Sequence, residues 1–249
     1  MIYTNGAKKV PPDVNFRIHL SCWGVNDSDK LARGANAFVK SLRNYRNDPR
    51  VIIIYTIAAV NVNDIYAAVE LAHEHGLPIT FSYYSPPIGY KNKIEAGAPN
   101  DKLFFRISNN AGSMILSAED LTTARREIER SKRDFPDTVH YSLHYDDWVI
   151  QPDLHKIDPA TGISMNCGVR LTKQENFKVD WTTTNMKCGS PTVDCVTCKG
   201  YGPNSSTYFS LGREAKNLPG GIPAWREARR LWKFIFFGRN SQWTARDAA

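Results

Sequence analysis

Val51 to Ile57 (VIIIYTI) is an unbroken run of β-branched and aromatic residues. Apolar side chains on both alternating faces describe a strand covered on each side, the usual condition of a parallel sheet. The flanks agree. Upstream, Arg33 to Tyr45 sets Ala35, Phe38, Leu42 and Tyr45 on one helical stripe, and downstream Ile65, Ala68, Val69 and Ala72 do the same. Asn63 can cap that second helix and Gly76 can end it. Phe16 to Leu20 and Pro78 to Tyr84 read as further strands. Strand and helix in alternation with short connections specify an α/β fold, with its binding site beyond the carboxyl ends of the strands.

Ser85 to Ser113 is rich in Gly, Pro and Asn and reads as a long loop over that end of the sheet. A helix follows from Ala118, capped by Ser117 with Asp120 three residues on, and Pro136 closes it. From Gly162 the sequence turns short-period and turn-rich, and it holds four of the five cysteines. A last helix spans Ala224 to Phe237, with Pro223 in its first turn and Gly238 past its end. Its Trp225, Ala228, Trp232 and Ile235 form the stripe expected to pack, leaving Arg226, Arg229, Arg230 and Lys233 to solvent.

The 249 residues, 42% hydrophobic and 23% charged, exclude disordered, collagenous and disulfide-scaffold classes. The apolar stretch Val51 to Val60 is half of the roughly 20 residues a membrane helix needs. The N-terminal MIYTNGAKKVPP lacks the apolar core of a secretory signal, so a cytoplasmic location and reduced thiols are expected. Of the net charge of +7, six units fall after residue 198, where nine basic residues meet three acidic ones. Such a tail suits a solvated helix face, or an anionic partner.

Cys167, Cys188, Cys195 and Cys198 follow the pattern C-x20-C-x6-C-x2-C. In a reducing compartment four clustered thiols point to a metal, because a CxxC knuckle turns two sulfurs onto one ion and four thiolates complete a zinc site or an iron-sulfur cluster. Zinc ribbons usually carry two knuckles and this chain carries one, which favours iron and sulfur. Cys22, alone after a strand, reads as a buried small residue. His140 and His144 could share a helix face but have no further ligand at metal-binding spacing. Dinucleotide, P-loop and GxSxG motifs are absent.

The order of motifs in the first 90 residues resembles the middle of a radical S-adenosylmethionine enzyme. IYTNG (Ile2 to Gly6) is similar to the third barrel strand, HLSCWG (His19 to Gly24) with Arg33-Gly34 and Phe38 to the fourth, and YTIAAVNVNDI (Tyr55 to Ile65) with ITFSYYSPP (Ile79 to Pro87) to the fifth and sixth. The cysteine segment resembles the SPASM or Twitch auxiliary-cluster extensions. The resemblance implies strands three to six of a partial (βα)6 TIM barrel over 1–135, a connector over 136–161, an auxiliary 4Fe-4S module over 162–222, and a basic helix and tail over 223–249.

It also implies that Ser21 and Arg33 contact the methionyl carboxylate of S-adenosylmethionine, with Asn5 and Asn61 as further contacts. Cys167, Cys188, Cys195 and Cys198 become the auxiliary-cluster ligands. Reductive cleavage to a 5′-deoxyadenosyl radical would then abstract hydrogen from a peptide or small-molecule substrate, with an electron donor as partner and neither membrane nor nucleic acid involved. Trp23 departs from the family's usual Asp, and CxxxCxxC, which would hold the catalytic cluster, does not occur. The chain is therefore expected to be a fragment that is inactive alone, and no catalytic residue is assigned. The alternative is a zinc-stapled α/β module whose basic tail docks on nucleic acid or a partner protein.

Overall fold

The computed structural model describes residues 1–33, 36–86, 88–96, 114–171, 176–177, 183–184 and 194–238. Strands β1 (Ile2–Thr4), β2 (Ile18–Cys22), β3 (Val51–Ile57) and β4 (Ile79–Tyr83) form one parallel sheet in sequential order. Val139 adds a fifth position, bridging Ile79 in parallel, with Ile79 N donating to Thr138 O and His140 N to Ile79 O. Right-handed crossovers that always step to the next neighbour keep their helices on one face of the sheet.

The two faces differ in chemistry. Register aligns Leu20 with Ile53 and Ile53 with Ile79, so Ile18, Leu20, Cys22, Val51, Ile53, Tyr55, Ile57, Ile79, Phe81 and Tyr83 share the face that the helices cover. The opposite face carries Tyr3, His19, Ser21, Ile52, Ile54, Thr56, Thr80 and Ser82. Ser21, Ile54, Thr56 and Ser82 are only half-buried, so β3 is sealed on both sides at its start and open at its carboxyl end.

The helix read over Arg33 to Tyr45 is two helices. Helix α1 (Asp27–Arg33) begins with Asp27 and Asp29 and ends with Lys30 and Arg33, each charge opposed to the nearer end of the helix dipole. Helix α2 (Ala37–Asn44) follows, with Phe38 and Leu42 buried as the stripe required. After β3 a 3₁₀ turn over Ala59–Asp64 intervenes before α3 (Ile65–Glu74), so Asp64, and not Asn63, stands at the helix start. The expected loop after Ser85 begins with helix α4 (Ile88–Glu95), and residues 97–113 lie outside the described ones.

Helix α5 (Ala118–Asp134) opens on the capping box its sequence announced. Asp120 N donates to Ser117 Oγ at 3.1 Å, and Ser117 N to Asp120 Oδ2 at 2.8 Å. Helix α6 (Leu143–Val149) takes in His144 but leaves His140 outside, so the two histidines do not share a helix face. The stretch read as a connector supplies Val139, Tyr141, Tyr145, Trp148 and Val149 to the main core.

Short elements α7 (Gly168–Leu171), β5 (Asn176–Phe177) and β6 (Thr183–Thr184) lead to α8 (Tyr201–Ser210), a 3₁₀ turn over Leu211–Asn217 and α9 (Gly221–Phe237). Tyr208 of α8 and Ala228 of α9 belong to the same core as the sheet. On α9 Ala224, Ala228 and Ile235 are buried, the two tryptophans are half-buried, and Arg226, Arg229 and Arg230 are exposed. Its last turn reaches the polar face of the sheet. Ile235 O accepts from Arg17 Nε at 3.1 Å and lies 3.0 Å from His19 Nε2, while Phe234 stacks on His140 with centroids 4.1 Å apart. No helix among the described residues is long and apolar enough to cross a membrane.

Candidate functional site

Ser21 ends the polar face of β2, and Arg33 ends α1. The structure brings them together: Arg33 Nη2 donates to Ser21 Oγ at 2.8 Å. Arg33 also lies 3.9 Å from Asp29 Oδ1, one helical turn earlier, and its Nη1 is buried with no acceptor among the described residues. Burial lowers the pKa of Arg33 from its ordinary value while Asp29 opposes the shift. A guanidinium keeps its charge throughout, so this corner presents a fixed cation with an unused donor. Such a fork suits a carboxylate or phosphate oxygen pair.

Asp29 is the part of the site that motif reading missed. It is fully buried, and its Oδ2 accepts from Phe38 N at 2.9 Å, so it holds the start of α2 while bracing Arg33. Burial raises its pKa, against the pull of the Phe38 N–H and Arg33. Its position four residues before Arg33 on one helix was the available signal.

The loop between β2 and α1 is fixed by backbone needs. Gly24 has φ +136°, and a Cβ there would meet Ser28 Oγ at 2.1 Å. Ser28 in turn bonds Asp64. Trp23 packs edge-on to Tyr84 at 5.5 Å, in a second apolar cluster with Ala58 and Met114, and so builds a wall of the carboxyl end.

Asn61 stands at the same end, but its side chain is turned to the protein. Its Nδ2 donates to Trp23 O at 2.9 Å and Thr56 O at 2.8 Å, and its Oδ1 accepts from Ala58 N at 2.8 Å. With both N–H groups used and 1% exposure, it positions the strand ends and does not face a ligand. Asn5 follows β1 on an exposed turn, where its Oδ1 accepts from Ala7 N at 3.0 Å. Cys22 is buried, its Sγ donating to Gly24 O at 3.5 Å, and burial pushes the thiol pKa up, which favours the neutral thiol.

Of the four clustered cysteines, Cys167, Cys195 and Cys198 are described and Cys188 lies outside the described residues. Cys167 and Cys198 are both buried. Cys167 precedes α7, whose Gly168 N donates to Thr207 Oγ1 of α8 at 2.9 Å. Cys198 precedes α8, where Asn204 Nδ2 donates to its carbonyl at 3.2 Å and lies 3.9 Å from its sulfur. Helix α8 therefore gathers both. Among the described residues no three Cys, His, Asp or Glu side chains converge as metal ligands.

This segment is seated on the sheet. Lys199 N donates to Ser85 Oγ at 2.8 Å and Tyr201 N to Ser82 Oγ at 3.2 Å, so the first and third residues after the knuckle are pinned at and just past the carboxyl end of β4. Asp194, just before the knuckle, pairs with Lys91 of α4 at 2.6 Å. Burial would raise the Asp194 pKa, but Lys91, the Val196 N–H and the Thr197 hydroxyl together hold it below the usual carboxylate value. The cysteine knuckle and the Ser21–Arg33 pair thus border the same end of one parallel sheet.

Comparison with family profiles, with curated proteins and with solved structures finds no match to the chain.

Proposed function

We propose that the chain is a portion of a radical S-adenosylmethionine enzyme, with its sheet as part of the barrel wall and its cysteine segment as an auxiliary-cluster holder. The observation that carries this reading is the Ser21–Arg33 pair, with a buried guanidinium nitrogen that has no acceptor among the described residues, at the carboxyl end of a parallel sheet wound in one direction. Strand order in register with the fourth, fifth and sixth positions of such a barrel supports it. So does a polar inner face opposite an apolar, helix-covered one.

In this reading Arg33 and Ser21 hold the methionyl carboxylate, and Asp29 keeps the guanidinium aimed at it. Asn61 fixes the strand ends around them, while Trp23 and Tyr84 pack as an apolar wall at that end of the sheet. S-adenosylmethionine held there would, on receiving one electron from a cluster, supply hydrogen-abstracting chemistry by breaking its S–C5′ bond into methionine and a 5′-deoxyadenosyl radical. The thiols of Cys167, Cys188, Cys195 and Cys198 would hold the auxiliary four-iron cluster, and α8 already gathers two of them. CxxxCxxC is absent from these 249 residues, so the chain is proposed to bind S-adenosylmethionine without cleaving it unaided.

Equilibrium dialysis with S-adenosylmethionine tests the assignment. Arg33→Lys is expected to weaken binding about ten-fold or more, the worth of a charge-assisted hydrogen bond, and Ser21→Ala less. Equal binding by wild type and Arg33→Lys, or none by wild type, refutes it.

One observation favours the alternative of a zinc-stapled docking module. Arg226, Arg229 and Arg230 are exposed on α9 and none pairs with a carboxylate among the described residues, the only helix acid, Glu227, being engaged by Lys132 at 3.4 Å. Anaerobic preparation separates the two readings: acid-labile sulfide with iron supports the first, and one equivalent of zinc without sulfide supports the second.

A further inference from the structure

Between α4, the start of α5 and the cysteine knuckle lies a cavity of about 290 Å³, outside the Ser21–Arg33 pair. Tyr84, Ile115, Leu116, Leu121 and Val196 give it apolar walls. It opens beyond the carboxyl end of β4, where parallel α/β sheets receive their ligands, and at a boundary between two packed segments, where small-molecule sites concentrate.

Charged side chains line it as well. Two ammonium groups line it, Lys91 and Lys199. Lys91 is neutralised by Asp194 at 2.6 Å. Lys199 is not: its Nζ donates to the carbonyls of Val149 at 3.0 Å and Gln151 at 2.9 Å, both neutral acceptors, and no carboxylate among the described residues forms an ion pair with it. Asp153, also in the lining, is exposed and forms no ion pair with Lys199. An ammonium has three N–H donors, so one remains after the two carbonyls are served.

We infer that this cavity binds an anionic ligand with an apolar body, a small carboxylic acid whose carboxylate meets Lys199 while its hydrocarbon part lies against Tyr84, Leu116 and Leu121. At roughly 30 Å³ for each water-sized group, the volume admits about ten non-hydrogen atoms. The inference deepens the function proposed above by assigning the substrate class, but binding here requires neither S-adenosylmethionine nor a cluster.

Octanoate, with ten non-hydrogen atoms, is the probe, and octan-1-ol and octylammonium are its neutral and cationic counterparts. Calorimetric titration of the full chain is expected to show saturable binding of octanoate at one site, at least ten-fold weaker binding of octan-1-ol and none of octylammonium. Lys199→Gln should bring octanoate down to the level of octan-1-ol. Lys199 also holds two carbonyls, so Val196→Asp provides a second variant at a side chain that is 55% exposed and tolerant of change. It places a negative charge on the wall and should weaken octanoate at least ten-fold while sparing octan-1-ol. Octan-1-ol binding as tightly as octanoate, octanoate affinity within two-fold of wild type in Val196→Asp, or no saturable octanoate binding overturns the inference. Loss of octanoate binding with S-adenosylmethionine binding intact refutes only this site, and the reverse refutes only the function proposed above.

Discussion

Replacing Asp146 by Asn should change how stability depends on pH, and the size of the change follows from its surroundings. Asp146 is fully buried; its Oδ1 accepts from Tyr83 Oη at 2.9 Å and Tyr141 Oη at 2.8 Å, and its Oδ2 lies 3.5 Å from Arg125 Nε. Burial raises its pKa from 3.8 to about 6, outweighing the two phenol donors and Arg125. Between those values the folded chain holds a proton that the unfolded chain has released, so this group's contribution to stability falls as pH rises. A displacement of about two pH units corresponds to ~3 kcal/mol, fully expressed above pH 6.

His19 works in the opposite direction over much of the same range. Burial, helped by Arg17, lowers its pKa from 6.5 to about 4 despite the bond to Ile235 O. Here the unfolded chain holds the extra proton, so stability rises with pH across that window by a similar ~3 kcal/mol. In the wild type the two slopes largely offset, and a flat profile would conceal both. The difference between variant and wild type isolates one of them. Urea unfolding from about pH 4 to about pH 7 should show Asp146→Asn gaining roughly 3 kcal/mol on the wild type as pH rises. A difference that stays constant across that range refutes the account of Asp146.

Asn61→Ala should destabilise the chain by about 2 kcal/mol or more, read as a lowered urea midpoint, because it orphans the Ala58 N–H and the Trp23 and Thr56 carbonyls at once. Gly168→Ala should lower both melting temperature and metal content, since a Cβ there would lie 2.4 Å from the backbone of Ser206 and would push Cys167 off α8. Unchanged metal content in Gly168→Ala would show that α8 does not set the position of Cys167.

The parallel sheet was legible because its signals are local. The run Val51–Ile57, the stripe on α3 and the Ser117 box each depend on residues within a turn or strand of one another, and each appears where the sequence placed it. The break between α1 and α2 was not legible, because it rests on Asp29 reaching forward to Phe38 N, a contact that leaves no periodic trace. The partners of Asn61 were not legible for a related reason. An Asn after a strand suits a ligand contact or a loop clasp equally, and only the three partners around it decide. The charge on Lys199 could not be read at all, since it depends on which carbonyls and carboxylates long-range packing brings near.

Strand β4 joins the two halves of the molecule because its alternate residues face different partners. Phe81 and Tyr83 point to the helix-covered side, where Tyr83 bonds Asp146 and Phe81 meets Tyr141 at 5.4 Å. Thr80 and Ser82 point to the polar side, and there Ser82 accepts from Tyr201, three residues past the last cysteine. A shift of one residue in the register of β4 would exchange these faces, burying Ser82 among aromatics and stripping the cysteine segment of its anchor. The same pairing that builds the core therefore sets where the knuckle sits, and it does so at the end of the sheet where Arg33 bonds Ser21.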